Sequence, residues 1–212
     1  MQVRHLGRVP YAQGLELQAG LVAERQAGRI PDTLLLLEHD PVFTLGRNAR
    51  AENVLLPEAA LKAQGFEVFE TGRGGDVTYH GPGQLVVYLL VDLRRARLGV
   101  RPMVREIEAA VIEWLDSVGI STFGKPAAPG VYTMMAGTEA KIAALGLRVA
   151  RGCTYHGLAV NIAMDLAPFN DIDPCGYRGL AVTQLADLGV MTSVERAGDD
   201  LAPILAARLR RA

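Results

Sequence analysis

Cysteine is scarce in this chain. Cys153 and Cys175 are the two present, too few for a disulfide framework and without the paired spacing of a zinc ribbon. Lysine is nearly missing as well: Lys62, Lys125 and Lys141 are all there is, and arginine carries the rest of the positive charge. No run approaches the roughly 18 apolar residues of a membrane span. Met1-Gln2-Val3-Arg4-His5 lacks the apolar core of a secretion signal. The phosphate-binding patterns Gly-x-x-x-x-Gly-Lys-Ser/Thr and Gly-x-Gly-x-x-Gly are missing too. There is no internal repeat and no low-complexity tract. With a net charge of −1, the whole-molecule field argues neither for nor against a nucleic-acid partner.

What is present is apolar and evenly spread. Half of the 212 residues are hydrophobic, which describes a globular protein with its own core. We expect one domain over residues 1–212, in the cytoplasm.

The densest concentration of glycine and functional side chains is Arg73-Gly74-Gly75-Asp76-Val77-Thr78-Tyr79-His80-Gly81-Pro82-Gly83-Gln84. Four glycines and a proline break regular structure there. They also let backbone N–H groups come close to a ligand. The apolar run Leu85 to Leu93 follows at once and reads as a buried strand.

Periodicity places the other elements. Val3 to Arg8 reads as a first strand. Pro10 suits the start of a helix to about Ala27, with Leu15, Ala19 and Val22 on its inner face. Thr33 to Leu37, Val42 to Leu45 and Phe66 to Phe69 read as strands, and Pro57 to Gln64 as a short helix. Arg101 to Val118 is the clearest helix, with a stripe of Val104, Ile107, Val111, Trp114, Leu115 and Val118 and a terminating Gly119. Lys141 to Val149 and Thr154 to Met164 read as two strands joined near Arg151-Gly152. Alternation puts Cys153, Tyr155, Gly157, Ala159 and Asn161 on one face, and His156, Leu158, Val160 and Ile162 on the other. Asp165 to Gly179 is a long connection of the kind that is usually functional or mobile. A last helix runs from about Asp200 to Arg210. Helices interleave with hairpin-like strand pairs, so the expected class is a mixed α/β or α+β sheet flanked by helices.

Cys175, between Pro174 and Gly176 in that long connection, is the better nucleophile; Cys153 sits in a strand-like run and packs. A thiol with a reference pKa near 8.5 needs a base or a cation beside it. Lys141, His80 and His156 are the residues available for that role. Lys141 stands in an apolar run, and burial lowers a lysine's pKa toward the range where it can accept a proton.

These residues fall into four blocks: Arg73 to Gln84, Lys141-Ile142-Ala143-Ala144-Leu145-Gly146, His156-Gly157-Leu158-Ala159-Val160-Asn161 and Pro174-Cys175-Gly176. In that order they resemble the signature of the lipoyl(octanoyl) transferases, over about Gly46 to Leu188. The resemblance implies a fold like the catalytic domain of biotin and lipoate protein ligases. It implies transfer of an octanoyl or lipoyl group from acyl carrier protein to a lysine of lipoyl domains, in lipoate biosynthesis. The acceptors would be the lipoyl domains of 2-oxoacid dehydrogenase complexes and the glycine cleavage H protein. Cys175 would carry the acyl thioester and Lys141 would lower its pKa. Arg73, Gly74, Gly75, Asp76, Val77, Thr78, Tyr79, His80, Ala144, Leu145, Gly146, Gly157, Leu158 and Ala159 would line the acyl site. No cofactor, metal, nucleic acid or membrane is expected to take part, and a monomer is expected.

Thioester exchange is close to thermoneutral and thioester-to-amide transfer is downhill, so no ATP is called for. That agrees with the missing phosphate loop. Two basic clusters, Arg94-Arg95-Ala96-Arg97 with Arg101 and Arg208-Leu209-Arg210-Arg211, could dock an acidic carrier protein. Two other readings remain: an ATP-dependent lipoate or biotin ligase of the same fold, and a non-catalytic relative that only binds lipoyl domains.

Overall fold

The computed structural model describes residues 1–211; the side chains of Cys175 and Arg211, both named above, lie outside the described residues. In chain order the elements are β1 (Gln2–Val9), α1 (Tyr11–Gln26), β2 (Thr33–His39), β3 (Val42–Leu45), α2 (Glu58–Ala63), β4 (Glu67–Glu70), β5 (Val77–His80) and β6 (Gln84–Leu90). Then follow α3 (Val100–Ser117), β7 (Phe123–Gly124), β8 (Val131–Met135), β9 (Thr138–Ala150), β10 (Cys153–Asn161), β11 (Ala181–Val182) and α4 (Val194–Arg211).

The large sheet has the order β1-β2-β6-β10-β9-β8-β7, with β11 added to β9. The β1–β2 and β9–β11 pairs are parallel and the others antiparallel. The sheet is mixed, as the interleaved sequence pattern requires. A small sheet, β4-β3-β5, lies beside it. No helix among the described residues is long and apolar enough to cross a membrane.

Strand alternation splits the core in two. Leu34, Leu36, Leu85, Val87, Leu89, Leu158 and Val160 pack under α3 and α4. Leu35, Leu37, Val86, Tyr88, Leu90 and Ala159 face the other way, with Val22 of α1. Each of these large side chains contributes about 1.5–3 kcal/mol by leaving water. On α3 the buried stripe is Met103, Ile107, Ala110, Val111, Trp114 and Leu115. Val104 is not part of it; it turns toward a cleft described below.

Three departures from the sequence reading have physical causes. The inner face of α1 is Tyr11, Gly14, Gln18, Val22 and Arg25 instead of Leu15 and Ala19. It packs on polar partners: Gln18 Oε1 accepts the His156 backbone N–H at 2.6 Å, and Arg25 pairs with buried Asp32 at 2.6 Å. The last helix begins at Val194 and not near Asp200, because Ser193 Oγ caps it by accepting the Arg196 N–H. His156 has φ 59°, which swings its ring out of strand alternation to stack on Tyr155 and meet Tyr88.

The β9–β10 turn is as expected. Ala150 pairs with Cys153, and Arg151 (φ 48°) and Gly152 (φ 87°) supply the two left-handed positions of a two-residue hairpin turn. Within the basic clusters Arg95 pairs with Asp32, and Arg208 ties α4 to Glu106 and Glu113 of α3.

Candidate active site

The glycine-rich loop is laid across the end of both sheets. Gly74 N–H donates to Leu147 O of β9 at 2.8 Å, and Arg47 N–H to Arg73 O at 2.9 Å. Arg73 is buried, its guanidinium held by Thr44 Oγ1 and the Thr44 carbonyl. A Cβ at Gly46 would stand 2.3 Å from Gly75 O, and one at Gly146 would stand 2.7 Å from Gly74 O. Both sites require glycine because backbone lies against backbone there. Asp76 accepts from its own neighbour Val77 N–H and from Asn53 Nδ2 at 2.6 Å, which fixes its carboxylate.

Under this loop is a narrow inner cleft with a cavity volume of about 40 Å³, partly open to solvent. Its lining contains Arg73, Gly75, Asp76, Val77, Thr78, His80, Ala144, Leu145, Gly146, Gly157, Leu158 and Ala159, together with Tyr11, Val86, Tyr88 and His156.

The polar groups of the cleft are fixed by hydrogen bonds. His39 Nδ1–H donates to Val9 O at 2.7 Å, so Nε2 is the acceptor and the Tyr88 hydroxyl donates to it at 2.5 Å. Gln84 Nε2 donates to Asn161 Oδ1, so Gln84 Oε1 accepts from His80 Nδ1–H at 2.7 Å. Burial pushes His80 down to about 3, with neighbouring His39 adding to the effect. Burial, then Arg73 and Arg148, push His156 down to about 4. Both imidazoles are neutral at pH 7. Burial raises Tyr11 to about 12 and Tyr88 well above its usual value, so both phenols stay protonated.

An outer cleft of about 380 Å³ shares Gly75, Asp76, Leu145 and Gly146 with the inner one. Lys141 sits in it, 3% exposed. Its Nζ donates to Pro129 O at 3.3 Å and lies 5.0 Å from the centroid of the Tyr132 ring. Gly130 (φ 143°) leaves the room: a Cβ there would be 2.9 Å from Lys141 Cε. Glu108 of α3 accepts the Gly130 N–H at 2.8 Å, and burial raises its carboxyl pKa.

The turn Pro174–Gly176, which carries Cys175, is anchored beside these clefts. A Cβ at Gly176 would be 2.9 Å from Asp76 Oδ2. Next to it Tyr177 lines the outer cleft, and β11 pairs Val182 with Lys141. Cys153, by contrast, is buried under α1, and burial raises its thiol pKa.

A model of the lipoyl protein ligase A/B catalytic domain matches residues 10–203. An octanoyltransferase of Laribacter hongkongensis is 47% identical over 211 residues, covering 100% of this chain and 97% of that protein. The chain belongs to the octanoyltransferase family. Its fold is that of the ligases. A bipartite lipoate protein ligase from Thermoplasma acidophilum superposes with a TM-score of 0.73 at 18% identity, covering 98% of this chain and 83% of that one. A biotin protein ligase from Aquifex aeolicus gives 0.56 at 12% identity, covering 100% and 70%.

In this octanoyltransferase the motif residues meet around two joined clefts, with two exceptions in the inner one. Gly74 lines the outer cleft alone. Tyr79 lines neither, contrary to the sequence expectation. Alternation along β5 turns its ring into the small sheet's core, against Phe43, Phe66 and Phe169. Tyr11, Val86, Tyr88, Tyr132 and Glu108 were missed, since none lies in a motif block. Among the described residues no group of three His, Cys, Asp or Glu could hold a metal ion.

Proposed function

We propose that the octanoyl transfer characteristic of this family runs in two steps through Cys175. In the first, Lys141 takes the Cys175 thiol proton. The thiolate attacks the thioester carbonyl of octanoyl-acyl carrier protein, and the carrier thiolate leaves with a proton from the Lys141 ammonium. In the second, the lysine amine of a lipoyl domain attacks the acyl-enzyme. Lys141 takes the amine proton and passes it to the departing Cys175 thiolate. The acceptors are lipoyl domains of 2-oxoacid dehydrogenase complexes and the glycine cleavage H protein, and one cytoplasmic monomer serves both partners.

The observation that carries this reading is the placement of Lys141. It faces the outer cleft next to Tyr177, two residues beyond Cys175, while β11 runs alongside it. His80 and His156 are poor alternatives. They lie in the inner cleft, and imidazoles pushed down to about 3 and about 4 are too weak to deprotonate a thiol at pH 7. The inner cleft then takes the acyl chain, whose burial at about 0.8 kcal/mol per CH₂ offers roughly 5 kcal/mol.

The test is intact-protein mass after incubation with octanoyl-acyl carrier protein, without ATP. An octanoyl adduct that maps to Cys175 and vanishes in Cys175→Ala is expected. Octanoylation of a lipoyl domain only when ATP and free octanoate are supplied would overturn the proposal in favour of a ligase.

A further inference from the structure

Three strands line up a bare lane across the floor of the inner cleft. Gly146 of β9 stands opposite Gly157 of β10, and Gly157 stands opposite Tyr88 of β6. Neither glycine can be replaced without collision: a Cβ at Gly157 would be 2.0 Å from Val87 O, and one at Gly146 2.7 Å from Gly74 O. The adjoining row is also small, pairing Ala144 with Ala159. At the Gly146 end, beneath the Gly74 carbonyl, the lane shares its lining with the Lys141 cleft, and at the other end it meets a phenol ring.

We infer that Tyr88 is the stop that sets acyl chain length, so that the enzyme measures its substrate in strand spacings. The inference rests on the proposed reading of the inner cleft as the acyl site. From β9 to β6 is two inter-strand steps, about 10 Å. An extended eight-carbon acyl chain, built from bonds of about 1.5 Å in zigzag, spans about 9 Å from carbonyl to terminal methyl. With its carbonyl over β9, on the Lys141 side, the chain crosses β10 and ends against Tyr88.

Tyr88 is built to stay in place. Its hydroxyl donates to His39 Nε2, and His39 is in turn held by the Val9 carbonyl. Gly14 of α1 makes room for that imidazole, since a Cβ there would be 2.9 Å from His39 Cε1. The His156 ring meets Tyr88 edge-on from the other side. Beyond Tyr88 in the same row is Leu35 of β2, fully buried. Removing the phenol frees the space its ring fills, as far as the Leu35 side chain.

The experiment is competition among hexanoyl, octanoyl, decanoyl and dodecanoyl carrier-protein thioesters for acylation of the full-length enzyme, read by intact mass. Wild type should prefer octanoyl. In Tyr88→Ala the decanoyl-to-octanoyl ratio should rise about tenfold, as two further buried CH₂ groups imply. Tyr88→Leu, which keeps an apolar wall for folding, should shift the same way but less. Ala159→Leu, which narrows the lane, should cut octanoyl loading and favour hexanoyl. Octanoyl preference unchanged in both Tyr88 variants, with Ala159→Leu still impaired, would overturn the stop and leave the acyl site standing. If Ala159→Leu also loaded octanoyl normally, the inner cleft would not hold the chain at all, and the acyl-site reading would fall with the stop.

Discussion

Lys141 and Tyr132 face each other in register across β9 and β8, with the ammonium 5.0 Å from the ring centroid. The same ring carries Lys125 Nζ at 4.6 Å, and Lys125 is paired with Glu139. The Tyr132 hydroxyl donates to Ala128 O at 2.9 Å, closing the turn whose Pro129 carbonyl accepts from Lys141. The ring is a wall of the lysine's seat and a tie for the turn beside it.

Tyr132→Phe keeps the ring face and removes only the hydroxyl, so it should retain most acyl transfer. Tyr132→Leu removes a cation–π contact worth about 0.5–2 kcal/mol. It should slow Cys175 acylation several-fold with little change in the apparent affinity for carrier protein. Stopped-flow acylation rates at saturating donor check this, and equal rates for Leu and Phe would remove the ring from the lysine's environment.

Lys141 itself should act by moving protons. In a Cys153→Ala background, Lys141→Ala should lower the rate of iodoacetamide labelling of Cys175 at pH 7, and raising the pH should recover part of it. Transfer should stay low, because the second step also needs a proton acceptor. Lys141→Arg should transfer poorly despite its charge, since arginine does not release its proton in this range. Superimposable labelling profiles with and without Lys141 would move the role elsewhere.

Glu108 holds the turn that seats Lys141, through the Gly130 N–H. Glu108→Gln keeps an acceptor for that donor and should be close to wild type in stability. Glu108→Ala leaves the Gly130 N–H unpaired at a half-buried site and should cost about 1–3 kcal/mol, with a drop in transfer rate. Urea unfolding and steady-state transfer, measured on both variants, distinguish anchoring by hydrogen bond from a need for the carboxylate's charge.

The histidines make stability depend on pH. His80 and His156 are depressed to about 3 and about 4 in the fold, from an unfolded value near 6.5. His39 is depressed by burial in the same sense. Below pH 6.5 the unfolded chain takes up protons that the fold refuses, so stability is full above that pH. It should fall as pH drops toward 4, by up to about 1.4 kcal/mol per pH unit for each histidine. Urea midpoints at pH 7, 6 and 5 check this. His156→Gln should flatten the slope, and a stability independent of pH over that range would contradict the buried neutral cluster.

The glycine loop, the Lys141 strand and the Cys175 turn were legible because each is a local run in which backbone demands and chemistry coincide. Gly46 and Gly146 show what the sequence could not: they are required by a backbone 29 or 72 positions away, at Gly75 and Gly74. Tyr11 and Tyr88 look like ordinary core residues in their own elements. They become cleft residues only when α1 lies across β6 and β10. The inner face of α1 was misjudged for a related reason. Its Gln18 and Arg25 satisfy partners on the sheet, so apolar periodicity pointed to the wrong side. His156 was assigned to the wrong face because alternation presumes extended backbone, and its φ is left-handed.

The chain on either side of the turn that bears Cys175 is tied down. Asn161 Nδ2 donates to Thr183 O, Leu185 N–H to Asn161 O, Ala186 N–H to Ile162 O, and Thr183 N–H to Lys141 O. At its far side Asp173 N–H donates to Asn53 O and Leu55 N–H to Asp171 O. Under the proposed route the thioester is therefore not carried on a swinging arm. It waits at one address, and donor and acceptor must each bring their reactive atom to the same doorway. On that route donor and acceptor take turns at the doorway, the carrier leaving before the lipoyl domain arrives.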